Sequence, residues 1–130
     1  MTEERRDTLW EKGLNLRRQV VGDDYVDRSL AGMDDFNDAL QDFVTRYAWG
    51  DVWQRPGLAK RDRSLLNLGM LIALGKTEEL KLHLKGALRN GLSKEEIKEV
   101  ILQSAIYCGA PAALEATRVA REAFAELDQA

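Results

Sequence analysis

The feature that most constrains the fold is a helical period that runs through almost every segment of this 130-residue chain. Apolar residues recur three and four positions apart, as one face of a helix requires, and no stretch shows the sustained alternation of a half-buried strand. The sequence therefore predicts an all-α protein with about six helices. A chain of this length is expected to form one domain, residues 1–130, and to bury about two-thirds of its unfolded surface.

Capping and helix-breaking residues predict where the helices begin and end. The predicted helices run from just after Thr2 to Val21, near Asp35 to Tyr47, from Lys60 to Leu74, from Thr77 to Asn90, from Ser93 to Tyr107, and from Pro111 onward. A loop is expected from Asp23 to Asp34, and Thr77 is expected to cap its helix. Ser93 and Glu96 predict a capping box. Between Trp49 and Leu58 the helical pattern is interrupted by glycine and proline.

The run from Leu65 to Leu74 is apolar almost all the way round its predicted helix. A helix of that kind is buried on every side. A small domain has little interior in which to bury it, so this run indicates that a second subunit covers one face. We therefore expect a homo-oligomer.

Composition and charge exclude several functional classes. The net charge of -3 and the pI near 5.3 argue against nucleic-acid binding, which depends on basic faces. No apolar run approaches the roughly 20 residues of a membrane span, and the N-terminal residues have no signal-peptide core. Cys108 is the only cysteine and His83 the only histidine, which cannot alone supply a typical transition-metal site. The chain is expected to be cytoplasmic and to use no metal, nucleotide or other cofactor.

The irregular segment after Tyr47 holds two tryptophans, Trp49 and Trp53, which are costly on a surface loop unless they cover something. We therefore expect a pocket here. Arg46, Arg55 and Arg63 flank the segment, and a guanidinium can bind a substrate carboxylate through two hydrogen bonds. Taken singly, each arginine is better interpreted as a surface residue, or as a partner of Asp51 or Asp62. Taken as a set, they indicate a substrate-binding site.

His83 is the candidate acid–base group, because imidazole can exchange protons near neutral pH or donate to a carboxylate as a cation. Glu79 lies one helical turn earlier, where it can orient the ring and raise its basicity. The alternative is a histidine satisfied at the edge of the core, beside the packing residues Leu80 and Leu84. Tyr107 is a further candidate for a hydrogen bond to substrate.

These residues resemble the carboxymuconolactone decarboxylase family, within the alkylhydroperoxidase-like helical superfamily. The resemblance extends over most of the chain and is carried by Arg46-Tyr47-Ala48-Trp49-Gly50, Trp53, Arg55-Pro56-Gly57-Leu58, Arg63-Ser64-Leu65, Glu79-Leu80, His83, Ala87-Leu88-Arg89-Asn90-Gly91 and Tyr107-Cys108-Gly109-Ala110-Pro111-Ala112. Redox members of the superfamily carry a CxxC pair, but Lys76 and Glu79 stand at those two positions here. The acidic relay position falls near Ser64. The resemblance is therefore to the decarboxylase branch.

The resemblance implies a cofactor-free carboxy-lyase that converts 4-carboxymuconolactone to 3-oxoadipate enol-lactone in aromatic catabolism (the β-ketoadipate pathway). The partner would be a small dicarboxylate lactone, and the assembly a hexamer. His83, oriented by Glu79, would act as oxyanion donor or proton source. The arginines would bind carboxylate, and the tryptophans would shield the site. Two alternatives stay open, namely a non-catalytic helical binding module and a decarboxylase or isomerase of a related lactone.

Overall fold

The structure, a computed structural model, describes residues 7–129, and their regular secondary structure is helical throughout, with no strand. The predicted all-α class is confirmed. The chain folds as two compact units, the first ending at Leu58 and the second beginning at Ala59. None of the helices in the described range is long and apolar enough to cross a membrane.

Unit 1 is built from three α-helices followed by a short π-helix, which is wider than an α-helix, and a short 3-10 helix, which is tighter. These are α1 (Thr8–Val21), α2 (Asp23–Ala31), α3 (Asp38–Phe43), a π-helix (Val44–Trp49) and a 3-10 helix (Val52–Gln54). Asp7 caps α1 by accepting a hydrogen bond from the backbone N–H of Trp10 at 3.2 Å. The predicted start just after Thr2 lies outside the described residues.

The predicted loop from Asp23 to Asp34 is wrong for Asp23–Ala31, which form α2, and right for residues 32–34, which lie outside any helix. Gly22 lies between α1 and α2 with a φ of 93°, a conformation that a glycine adopts at little steric cost. This single residue turns the chain, and Asp23 and Asp24 then occupy the first turn of α2, where negative charge is stabilising. The sequence signal for a loop was in fact the signal for a helix start.

The helix predicted near Asp35 to Tyr47 forms in two parts, α3 and the π-helix. The backbone N–H of Gly50 donates to the carbonyl of Thr45 at 2.9 Å, five residues earlier, as in a π-helix. A Cβ added at Gly13 of α1 would overlap that same carbonyl oxygen, and one added at Gly50 would overlap the carbonyl oxygens of Leu9 and Arg46. The two glycines therefore allow α1 and the π-helix to pack backbone against backbone.

Unit 2 contains the last four predicted helices, and the predicted bounds of the first of them are confirmed. Its helices are α4 (Lys60–Leu74), α5 (Thr77–Arg89), α6 (Lys94–Tyr107) and α7 (Ala110–Asp128). The capping box is present: the Ser93 hydroxyl accepts from the Glu96 N–H at 3.1 Å, and the Glu96 carboxylate accepts from the Ser93 N–H at 3.0 Å. Gly91 ends the α5 region with a φ of 99°. The predicted Thr77 cap is wrong, since Lys76 holds that position and makes no side-chain capping bond.

The hydrophobic core of unit 2 lies among all four of its helices. Its buried residues are Leu68, Ile72, Leu80, Leu84, Ala87, Leu92, Ile97, Ala116, Val119, Ala120 and Ala123. On α4 the buried side chains recur at Ser64, Leu68 and Ile72. The opposite stripe stays exposed, with Leu66 at 54% and Met70 at 47%. Within unit 2, therefore, the described residues cover α4 on one side only.

Candidate functional site

Unit 1 joins the two tryptophans of the irregular segment into one aromatic pair. Trp49, the last residue of the π-helix, is buried, and the 3-10 helix returns Trp53 to it. Their rings stack with centroids 4.8 Å apart and planes at 22°. Gln54 fixes this turn, since its Nε2 donates to the carbonyls of Trp49 and Lys12, each at 3.1 Å. The two tryptophans that were predicted to cover a pocket therefore form one stacked pair of rings.

Arg46 is buried and already neutralised by two carboxylates. Its Nε donates to Asp42 at 2.9 Å and its Nη1 to Asp7 at 2.8 Å. These hydrogen bonds hold the pKa of the Arg46 guanidinium above its ordinary value, and Arg46 in turn holds the pKa of Asp7 below its own. Neither partner is Asp51 or Asp62, the two aspartates that the sequence suggested. The arrangement fastens the N-terminal cap of α1 to the π-helix.

Arg17 is a second buried arginine of unit 1, and sequence reasoning did not single it out. Its Nη1 donates to the Gln41 side-chain carbonyl at 3.1 Å and to the Thr45 hydroxyl at 3.4 Å, and its guanidinium lies 5.7 Å from the ring centroid of Tyr25. Burial lowers the pKa of this guanidinium. The position follows Gly13 by four residues and precedes Val20 by three, so the helical period could have placed it on the packed face.

Arg55 lies at the end of the 3-10 helix, where its backbone N–H donates to the carbonyl of Val52 at 3.2 Å. The residue is exposed, in contrast to the two buried arginines of the same unit. It follows Trp53 by two positions along the chain. Unit 1 therefore presents a stacked aromatic pair and an exposed arginine within one short segment.

In unit 2, His83 lies on α5 between buried residues of the same helix. Leu80 and Leu84 are both in the core, and Gly86 and Ala87 are buried on the next turn. The Nδ1 atom of the ring is buried. His83 itself is half-buried, at the margin of the leucine stripe.

Burial controls the protonation of His83. It lowers the pKa of the imidazole from 6.5 to about 4, because the charged form loses hydration, and the nearby Glu79 carboxylate opposes this only in part. Glu79 itself is exposed. The ring is therefore expected to be neutral at pH 7, which disfavours a cationic donor there. A neutral imidazole can still donate one N–H to a developing oxyanion.

Arg63 and Ser64 stand at the start of α4, which packs against α5. The Nε of Arg63 is buried. Ser64 is 1% exposed, and its hydroxyl accepts a hydrogen bond from the side-chain amide of Asn90 at 2.9 Å. This bond ties the beginning of α4 to the end of α5. Ser64 was recognised from sequence only as a missing acid, and its structural role depends on a partner 26 residues away.

Tyr107 ends α6 and is 83% exposed. It lines a groove between α4 and α6, with Leu65, Leu66, Gly69 and Val100 among the other lining residues. Neither Glu79 nor His83 is among the described residues that line this α4–α6 groove. The groove and the His83 helix are therefore separate features of unit 2, and a substrate contact by Tyr107 stays a prediction.

The fold defines a class: a small protein whose described secondary structure is all α-helical, π-helical or 3-10 helical. The chain belongs to the Carboxymuconolactone decarboxylase family, whose sequence profile it matches over residues 38–122. The resemblance stated from the sequence motifs is confirmed by this match.

Two relatives cover most of the chain. The chain is 43% identical over 127 residues to a 4-carboxymuconolactone decarboxylase of Acinetobacter baylyi, an alignment that covers 98% of this chain and 92% of the relative. It is 40% identical over 119 residues to a nitrosuccinic acid decarboxylase of Metarhizium robertsii, covering 92% of this chain and 83% of the relative. Both relatives are named as decarboxylases.

Proposed function

We propose that this protein is a carboxy-lyase that converts 4-carboxymuconolactone to 3-oxoadipate enol-lactone and CO2 in aromatic catabolism. The observation that carries the proposal is the 43% identity to a 4-carboxymuconolactone decarboxylase across 98% of this chain. The family membership and the aromatic and cationic side chains support the same reaction class.

The chemistry sets four requirements on the protein. When the carbon–carbon bond to the departing carboxylate breaks, its electron pair flows through the ring double bond onto the lactone carbonyl and gives a dienolate. A proton added to carbon then completes the product. The protein must therefore hold the retained carboxylate, leave the departing one poorly solvated, stabilise the oxyanion and deliver a proton. The substrate supplies its own electron sink, so the proposed reaction uses no cofactor.

Binding of the retained carboxylate is assigned to Arg46, Arg55 or Arg63, the set that the family resemblance implies, with Arg55 placed first. Arg55 is exposed and adjoins the aromatic pair in sequence. Trp49 and Trp53 are assigned the shielding role, because a stacked indole pair offers an apolar wall that excludes water.

His83 is assigned to the dienolate oxygen as a neutral N–H donor. With a pKa of about 4, only about one ring in a thousand is protonated at pH 7, so imidazolium is a poor proton source there. A neutral donor needs no counter-charge and acts strongly where water is excluded. Glu79, whose charge acts on the ring, is assigned to orient it. The proton that reaches carbon then comes from another donor.

The assembly is proposed to be a homo-oligomer, a hexamer by the family resemblance, working in the cytoplasm. The exposed stripe of Leu66, Met70 and Leu74 on α4 supports self-association, because these three side chains are 54%, 47% and 69% exposed. Light scattering at micromolar concentration tests it, and a folded monomer would contradict the proposal.

The decisive experiment incubates the purified protein with 4-carboxymuconolactone while CO2 release is followed. Stoichiometric CO2 with loss of the lactone is expected. No CO2 above the uncatalysed rate would favour the alternative of a non-catalytic helical module. A panel of related lactones, compared by kcat/KM, separates the proposed substrate from the alternative of a related lactone.

A second candidate substrate is nitrosuccinic acid, which the 40% identity to a nitrosuccinic acid decarboxylase favours. Here CO2 would leave the carbon that bears the nitro group, the electron pair would move onto a nitro oxygen, and protonation of carbon would give 3-nitropropanoate. This substrate makes the same demands, since it also keeps one carboxylate and places negative charge on oxygen. A kcat/KM for nitrosuccinate above that for the lactone would make it the favoured substrate.

A further inference from the structure

We infer that a groove between α6 and α7 is a binding site for a monocarboxylate with a compact apolar body. This α6–α7 groove lies within unit 2 and has a volume of about 240 Å³. Neither His83, Arg63 nor Tyr107 is among the described residues that line it. The inferred site is therefore separate from the one proposed for the lactone, and the inference does not depend on the proposed reaction.

The floor of the groove is apolar. Ile101 and Leu102 of α6 and Phe124 of α7 line it. Leu102 is 53% exposed, and the other two pack against the core while staying only partly buried. An apolar cavity of about 150 Å³ holds the six-carbon ring of benzene. A groove of about 240 Å³ therefore has room for an apolar body of about eight to ten carbons.

Three cationic side chains surround this floor, and they select the charge of the ligand. Lys94, Lys98 and Arg121 line the groove, and no aspartate or glutamate does so in the part of the chain that the structure describes. The chain as a whole has a net charge of -3, so this basic rim runs against its overall balance. A carboxylate is attracted by all three cations, whereas an alkyl ammonium is repelled.

The rim cations keep most of their charge for an incoming anion. Arg121 is exposed and makes no ion pair with any residue that the structure describes. The Nζ of Lys94 lies 4.9 Å from the ring centroid of Phe124, a cation–π contact that holds the ammonium against the groove wall without neutralising it. Lys98 lies 3.8 Å from Glu95, but both side chains are largely exposed, and a pair of that kind is weak.

The position of Lys94 argues that the basic rim serves more than the stability of the helix. Lys94 is the first residue of α6, where the positive end of the helix disfavours a cation. Glu95 and Glu96 in the same turn follow the stabilising preference, so Lys94 is the exception. A carboxylate bound in the groove relieves this repulsion, because it brings negative charge to that end of α6.

The first test measures the binding of octanoate to the full chain by isothermal titration calorimetry at low ionic strength, without the lactone. Shorter and longer alkyl carboxylates, from butanoate to dodecanoate, complete the series. Affinity is expected to rise by up to about fourfold for each CH2 added and to level off once the groove is full, at about eight to ten carbons. Octan-1-ol, which lacks the charge, should bind roughly fivefold more weakly than octanoate or worse.

Charge variants then locate the site. Arg121→Gln should raise the Kd of octanoate by roughly fivefold, and adding Lys94→Gln should raise it by about tenfold or more. Leu102→Asp, which places a carboxylate at the floor, should weaken binding from the apolar side. The matched control is Arg118→Gln, which removes the same charge three residues earlier on α7. Arg118 pairs with Glu122 at 2.8 Å and does not line the groove, so the Kd should change by less than about twofold.

All of the substituted side chains are exposed, and far-UV circular dichroism checks that each variant is folded before binding is compared. Absence of octanoate binding would overturn the inferred site, and so would equal weakening by Arg118→Gln and Arg121→Gln. An affinity that keeps rising by the same factor up to dodecanoate would also overturn it, because that is the behaviour of adsorption to apolar surface in general. None of these measurements involves turnover, so the CO2 assay tests the proposed reaction separately.

Discussion

Replacing His83 by glutamine should change how the stability of the protein depends on pH. Glutamine has a similar size and polarity but does not titrate. In the folded protein the pKa of His83 is about 4, against an ordinary value of 6.5. Between these two values the unfolded chain binds a proton at this residue and the folded chain does not. Protons therefore favour unfolding of the wild type across this window.

The sign and size follow from the same two values. A depressed histidine pKa leaves stability unchanged above pH 6.5, where the ring is neutral in both states, and it destabilises the fold increasingly as the pH falls toward 4. The gap between 6.5 and about 4 corresponds to at most about 3.5 kcal/mol, since each pH unit contributes about 1.4 kcal/mol. By pH 5 the loss should already be roughly 2 kcal/mol.

The assay is urea unfolding of wild type and His83→Gln at matched protein concentration, at several pH values from 7.5 to 5. Fixed concentration matters because self-association adds to apparent stability. All other titrating groups are shared, so they cancel in the difference between the two proteins. That difference should shift by about 2 kcal/mol in favour of the glutamine variant as the pH falls. A difference that stays constant with pH would show that His83 is not held neutral by burial.

Four further predictions concern the proposed site and the fold. His83→Ala should lower kcat by roughly a hundredfold or more, the scale of a positioned oxyanion donor; normal turnover with easier unfolding would make it a core residue. Arg55→Ala should raise KM more than it lowers kcat in steady-state kinetics, because it binds the retained carboxylate. Activity should survive exhaustive chelation and alkylation of Cys108; loss that added metal restores would contradict the proposed mechanism. Gly13→Ala should destabilise the protein by roughly 2 kcal/mol or more in urea unfolding, because the new methyl group overlaps a carbonyl of the π-helix. Gly57→Ala, where a Cβ meets nothing, is its control and should be nearly neutral.

Local signals in the sequence predicted the fold of unit 2 well. The bounds of α4 and the Ser93–Glu96 capping box depend on residues within a few positions of one another, and both are present. The missed helix α2 and the π-helix depend on backbone geometry instead. A positive φ at Gly22 and a hydrogen bond spanning five residues rather than four leave no mark on hydrophobic periodicity.

The candidate site was harder to predict because its properties depend on tertiary contacts. Arg46 finds one partner in Asp7, 39 residues earlier in the chain, and no spacing rule indicates such a pair. His83 and Glu79 could be recognised from the sequence as candidate site residues. The neutral state of the His83 imidazole could not be predicted, since it depends on how far the ring is buried.

The π-helix has a consequence for how this segment can vary in length. A π-turn holds one residue more than an α-turn, and each residue of an α-helix rotates the chain by about 100°. A π-turn is therefore an α-turn with one inserted residue, and deleting one residue within 44–49 would restore the α-turn and leave Trp49 in nearly its present direction relative to α3. Deleting a second residue would turn Trp49 away by about 100° and break the stacked indole pair. This segment can therefore lose one residue, but not two, while the tryptophans stay paired.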